Sequence, residues 1–193
     1  MSTARRYWGG QFSHIIVYGQ AGVDTVNVVA ATIGGSKTPV AVPAILFGGT
    51  GVNNLSVAGS SANNILVGGP GADKLTGGSG RDILIGGGGS DTLVAGTGSD
   101  ILIGGRTVYN VNLAALAALM AEWQSTDSYA ERVADLFGNG SNGANGATYL
   151  SPATVTADAG TSLLIGSASL TWFFDTPGDK LVNPENGDVD TLL

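Results

Sequence analysis

The chain has 193 residues, 32 of them glycine, no cysteine, and a net charge of −7 with only 12% charged residues. Its acidity excludes nucleic acid as a partner, which needs a basic surface, and the missing cysteines exclude a disulfide-stapled scaffold. The length fits one domain or one elongated module, and the longest apolar run, Leu113 to Ala121, is too short to span a membrane.

Met1 to Trp8 lacks the apolar region of a secretory signal peptide. The regular part of the chain is expected to begin near residue 12. The one histidine, His14, stands beside a predicted strand with no partner of catalytic type in the sequence. No Ser-His-Asp spacing, zinc motif or phosphate loop is present, so an enzyme is not expected. Ile15–Tyr18 and Val26–Val29 read as strands, rich in β-branched residues. Between them, Gly19-Gln-Ala-Gly-Val-Asp24-Thr-Val26 is a diverged copy of a motif that becomes clear downstream. Residues 30–44 are expected to form a longer loop or irregular coil, and Ala44–Phe47 to resume the pattern. Gly48–Ser56 and Ala58–Leu66 keep its shape, with Asn53 and Asn63 read at the place where stronger copies carry Asp, and with Val57 and Val67 read as single inserted residues.

Gly68–Thr76, Gly77–Ile85, Gly86–Val94 and Ala95–Ile103 then repeat every nine residues as Gly-Gly-x-Gly-x-Asp-x-Leu-x. Consecutive glycines make the front of each unit a turn, and Asp-x-Leu-x makes its back a very short strand. Nine residues cannot close a coil with two strands and two corners. Two units can, so copies eighteen residues apart stack. The leucines 75, 84, 93 and 102 then meet between two walls, Asp73 lies over Asp91, and Asp82 over Asp100. Stacked carboxylates repel unless a cation separates them. Carboxylate and carbonyl oxygens are the donors that calcium prefers. The residues alone therefore lead to a parallel β-roll, a β-solenoid, with calcium in its turns.

The repeat stops at Gly104-Gly105-Arg106. Leu113, Leu116, Ala117 and Met120 fall on one helical face, followed by Trp123. Ser125, Thr126 or Asp127 is expected to cap a second helix carrying Tyr129, Val133, Leu136 and Phe137, and Gly138 to stop it. The apolar faces are expected to pack on the side or end of the roll, where they would cover its last strand; the alternative is that they dock another molecule. Residues 138–147 read as a polar loop. Ala153–Thr156 and Ser162–Ile165 return to strand composition, Gly166–Phe174 is a degenerate copy, and Ser162 and Thr171 stand where Asp is expected. Gly187–Leu193 is again roll-like. The expected organisation is a β-roll over 1–105, best over 68–103; a helical insertion with a Gly/Asn loop over 106–147; and degenerate C-terminal coils or a cap over 148–193.

The nonapeptides resemble the hemolysin-type calcium-binding repeats, the RTX repeats, of secreted bacterial proteins. The resemblance implies a right-handed parallel β-roll, all-β dominated, here with a short two-helix insertion. It also implies a ligand set for each Ca²⁺: the second and fourth carbonyls and the Asp of one copy, with the first and third carbonyls and the Asp of the copy two further on. Carried onto this chain, one site is Gly69, Gly71 and Asp73 with Gly86, Gly88 and Asp91. The other is Gly78, Gly80 and Asp82 with Ala95, Thr97 and Asp100. Asn53, Asn63 and Asp24 are weaker metal candidates. The wider layout is similar to the C-terminal ends of large secreted bacterial proteins exported by type I systems. The expectation is a calcium-binding structural module, secreted or at the cell surface, folding on calcium outside the cell. Two other readings stand beside it: a filament or surface-layer subunit assembling through roll ends or the helical face, and a C-terminal secretion appendage of a larger protein.

Overall fold

The computed structural model describes residues 13–140 and 143–193; Met1 to Trp8 and residue 12, where the pattern was expected to begin, lie outside them. In chain order the elements are β1 (Ile15–Tyr18), β2 (Thr25–Asn27), β3 (Ala31–Ile33), β4 (Ser36–Thr38), β5 (Ala44–Phe47), β6 (Asn54–Ser56), β7 (Ile65–Pro70), β8 (Lys74–Thr76) and β9 (Ile83–Gly88). They continue with β10 (Thr92–Val94), β11 (Ile101–Ile103), β12 (Arg106–Thr107), α1 (Leu113–Trp123), α2 (Tyr129–Phe137), β13 (Val155–Thr156), β14 (Leu163–Ile165), β15 (Trp172–Asp175), β16 (Lys180–Val182) and β17 (Val189–Leu192).

Two parallel sheets form the walls of a β-roll. One runs β1-β5-β7-β9-β11-β15-β17 and the other β2-β6-β8-β10-β14-β16. Leu66 pairs with Leu84 and Leu84 with Leu102 on the first wall; Leu55, Leu75 and Leu93 pair on the second. These leucines, with Leu46, Leu164 and Phe173, fill the space between the walls and are fully buried.

The walls differ in their outward residues. On the first, Ile65, Val67, Ile83, Ile85, Ile101 and Ile103 flank the inward leucines, are also buried, and meet the helices. On the second, the same places hold Asn54, Ser56, Lys74, Thr76, Thr92 and Val94, which face solvent wholly or in part. Because alternate residues of a strand face opposite ways, one wall is apolar on both faces and the other on one. The roll thus has a thin inner core and a second core beneath its helical cover.

That cover lies across the outer face of the first wall, on the side of the roll, and reaches its last strand, where Val189 packs against the same cluster and its N–H donates to the Tyr129 hydroxyl. Leu116, Leu119, Met120 and Trp123 of α1 and Leu136 of α2 pack on it with Leu150, against Trp172 and Phe174 of β15. Leu119 takes part where Ala117 was expected to; Ala117 is exposed. Trp123 Nε1 donates to the Ser99 carbonyl at 3.0 Å, and the Tyr129 hydroxyl to the Thr171 carbonyl at 2.8 Å. The cap of α2 is Ser128, in a reciprocal capping box with Glu131, rather than residues 125–127. A side-chain oxygen at N-cap and a glutamate three residues on satisfy two free N–H groups at once. Gly138 ends the helix in the left-handed conformation, as its sequence predicts.

Residues 30–44 contain a hairpin, not irregular coil: β3 and β4 pair antiparallel around Gly34-Gly35, with φ of +57° and +84°. Two successive positive φ values make a tight turn whose twist matches that of the strands. Ala153–Thr156 contributes β13, which pairs antiparallel with β12 and clasps the base of the insertion instead of joining a wall.

The inner core sets a testable scale. Leu84→Ala removes a fully buried side chain between two stacked leucines and is expected to cost about 3 kcal/mol. Urea denaturation at saturating calcium checks this, and a loss below about 1 kcal/mol would contradict the packing described.

Candidate metal centre

The roll's turns form two ladders. In the first, Asp24, Asn53, Asp73, Asp91, Ser162 and Asp179 succeed one another. Each residue's backbone N–H donates to the side-chain oxygen of the next: Asp24 to Asn53 at 3.1 Å, Asn53 to Asp73 and Asp73 to Asp91 at 2.7 Å, Asp91 to Ser162 at 3.1 Å and Ser162 to Asp179 at 2.6 Å. In the second, Asn64 N–H donates to Asp82 and Asp82 N–H to Asp100, both at 2.7 Å, and Thr171 N–H donates to Asp188. Each bridging Asp thus spends Oδ1 on the coil before it.

The other oxygen is where the chemistry lies. Oδ2 of Asp24, Asp73, Asp91 and Asp100 is buried and has no hydrogen-bond partner. A carboxylate oxygen left in that state costs several kcal/mol unless a cation meets it. Carbonyls converge on the same points. A Cβ at Gly68 would lie 2.5 Å from both Asp73 Oδ2 and the Gly86 carbonyl, and one at Gly86 would run into Asp91 Oδ2 and the Gly104 carbonyl. The first place of the repeat is glycine because two oxygens crowd the space that a Cβ would take. Gly69 and Gly87 hold φ of +117° and +109°, a region side chains avoid; it turns the Gly69 carbonyl toward Gly87 as the Gly71 carbonyl turns toward Gly89. The Gly88 carbonyl accepts from Gly71 N–H at 2.7 Å.

The second ladder is built differently. The Ala95 carbonyl sits beside Asp82 Oδ2, but that oxygen also accepts from Gly78 N–H at 2.6 Å, and Gly78 lacks the positive φ of its counterpart Gly96. The Gly78 carbonyl accepts from Thr97 N–H, the Thr97 carbonyl from the Ser169 hydroxyl, and the Gly80 carbonyl faces Gly98.

Asparagine turns fill themselves. Asn53 Nδ2 donates to the Gly49 and Gly51 carbonyls at 3.5 and 3.4 Å, the second and fourth of its copy. An amide nitrogen therefore stands where Asp73 has an open oxygen. Register corrects the reading of Asn63. Ile65 pairs with Ile83, so Asn64, not Asn63, occupies the Asp place; its Nδ2 donates to the Ala62 carbonyl at 2.7 Å. Asn63 instead accepts from Arg81 N–H and donates to Gln124. Val67 is the last residue of its repeat, and the extra residues fall between Val57 and Ser61.

Burial pushes the Asp91 carboxyl up to about 7, with the charges of Asp73, Asp158 and Asp179 adding to it, and pushes Asp100 up to about 8, with Asp82 adding. Burial also raises Asp73 and Asp82, against hydrogen bonds from Asn53 and from Gly78 and Asn64 that lower them. A further group, Glu122, Asp127 and Asp135, lies within 4.8 Å in the helical cover. There Glu122 accepts from Ala144 N–H and the Ser125 hydroxyl, and the Arg132 guanidinium lies near.

Fold and turns together define a parallel β-roll that gathers buried carboxylates and backbone carbonyls in its corners. Residues 58–93 and 85–106 match the RTX calcium-binding nonapeptide repeat family, in four copies, so that over that stretch the chain carries RTX repeats. Repeats of this family bind Ca²⁺ and are structural rather than catalytic. Comparison with curated proteins and with solved structures gave no match.

The raised carboxyls predict a pH response with a definite sign. Free aspartate titrates near 4, whereas folded Asp91 and Asp100 titrate at about 7 and about 8. Between those limits the folded state binds more protons than the unfolded, so stability falls as pH rises. The metal-stripped chain is expected to resist urea better at pH 5 than at pH 8. A midpoint that rises over that interval would contradict the burial of unpartnered carboxylates.

Proposed function

We propose that the chain is a calcium-dependent structural module that works outside the cell, its middle coils folding when calcium enters the turns. The observation that carries this is a buried, unpartnered Asp73 Oδ2 that borders the same glycine position, Gly68, as the Gly86 carbonyl. We assign one site to Gly69, Gly71 and Asp73 with Gly86, Gly88 and Asp91, and a second to Gly78, Gly80 and Asp82 with Ala95, Thr97 and Asp100. The second requires the Gly78 N–H to leave Asp82 Oδ2, so it binds more weakly. Asn53 and Asn64 mark metal-free turns, Asn63 is no ligand, and Asp24 is a lone outlying carboxylate whose open Oδ2 lies beside the Gly48 carbonyl.

The location rests on the affinity typical of such sites. Calcium sites in extracellular modules have dissociation constants of roughly 10⁻⁴ to 10⁻³ M. At ten times that concentration each site adds about 1.4 kcal/mol, enough in combination to decide folding outside a cell and too little to act in a calcium-poor cytosol. RTX repeat proteins are typically secreted, and among the described residues no helix is long and apolar enough to cross a membrane. The module has no catalytic role in this reading. End-to-end assembly is disfavoured by the last coil, where Asp190 on edge strand β17 faces Asp175 and raises it, after burial, to about 6. Charges on an edge strand oppose further strand addition.

Calcium titration followed by far-ultraviolet circular dichroism tests the proposal. Added calcium is expected to raise strand content and melting temperature, chelator to reverse both, and Asp73→Asn to weaken the response. A spectrum and melting point indifferent to calcium and chelator would overturn it.

A further inference from the structure

The helical cover enters the roll inside a repeat. Gly104 takes the first place of that repeat, stacked on Gly86; Gly160 takes the fourth, its position abutting the Gly89 carbonyl; and Ser162 takes the sixth, its hydroxyl accepting from Asp91 N–H. Leu164 pairs with Leu93 at the eighth. Read across the insertion, Gly104-Gly105 and Ala159-Gly-Thr-Ser-Leu-Leu-Ile165 compose one nonapeptide, divided between its second and third residues by residues 106–158.

The coil below presents an open position to this divided turn. Asp91 is 2% exposed, its Oδ2 has no partner, and that oxygen converges with the Gly104 carbonyl. The divided repeat has Ser162 where its own carboxylate would be. Asp158, the last residue of the insertion, supplies one from beside it: its Oδ2 accepts from Gly89 N–H at 2.5 Å, its Oδ1 from Gly160 N–H at 3.3 Å, and its charge bears on Asp91. Arg106, the first residue of the insertion, lays its guanidinium over Gly88 on the flank of the same turn. Asp179 Oδ2 reaches Gly104 from the coil above, while accepting from Thr176 N–H.

We propose that this divided turn is a further calcium position, formed by Asp91 Oδ2 and the Gly104 carbonyl with Asp158 as the substitute carboxylate. Its ligands come from both ends of the insertion, Gly104 before it and Asp158 after it. A cation there fastens the helical cover to the roll, so that the second core closes when the turn is filled. The site rests on the calcium reading of the intact repeats but uses a residue outside any intact repeat.

Calcium binding is counted by isothermal titration calorimetry on the full chain, with Trp123 and Trp172 fluorescence reporting closure of the cover. Asp158→Asn is expected to bind one calcium fewer than the parent chain and to need more calcium for the fluorescence change. Ser162→Asp, which restores the missing carboxylate, is expected to tighten that same equivalent about tenfold or more. Equal stoichiometry and affinity in the parent and Asp158→Asn chains would overturn this site while leaving the intact-repeat sites standing. A parent chain that binds no calcium would overturn the proposed function itself. If Asp158→Asn fails to fold, Ser162→Asp decides: affinities unchanged from the parent would count against the site.

Discussion

The structure turns on a single carboxylate arrangement. Each aspartate of the clear repeats is buried in a corner of the roll. One of its oxygens is held by the backbone of the coil below. At Asp73, Asp91 and Asp100 the other is left facing inward without a partner. The first bond fixes the register of the coils. The second oxygen makes that register unfavourable until a positive charge arrives, because an ionised group out of water needs a partner. The same side chain thus specifies the stacking and makes its stability conditional.

The rest of the roll removes the condition where it is not wanted. At Asn53 and Asn64 an amide nitrogen stands in the corner and bonds carbonyls of its own turn. At Ser162 and Thr171 a short hydroxyl stands in place of the repeat's own carboxylate. The shape persists over these coils because the leucine ladder and the strand pairing persist. Under the proposed function, metal dependence belongs to the middle coils and the divided turn above them, over which the helical cover is also laid: Trp123 is bonded to Ser99, next to Asp100.

Much of this was legible in the sequence. The nine-residue period predicts two units per coil, the inward leucines and the stacking of Asp73 on Asp91, since each follows from strand alternation and chain length. The outer core was legible too, in the seventh and ninth places of alternate copies: Ile83 and Ile85 against Lys74 and Thr76. Averaging the copies into one motif hides that difference. Asn63 was misplaced by one residue because Asn63-Asn64 offers two candidates and only pairing with Ile83 selects between them. The hairpin at Gly34-Gly35 was hidden by reading its glycines as irregular rather than as a turn. The divided repeat was illegible locally, because its halves are separated by the whole helical cover and only their stacking on Gly86 and Asp91 joins them.

Under the proposed function, cations occupy the aspartate corners and not the asparagine ones. Crystals grown with calcium, measured for anomalous scattering, test it most directly. A peak is expected between Asp73 Oδ2 and the Gly86 carbonyl, at about 2.3–2.6 Å from each, and none beside Asn53 Nδ2. An empty Asp73 corner, or equal peaks in the asparagine and aspartate corners, would contradict it.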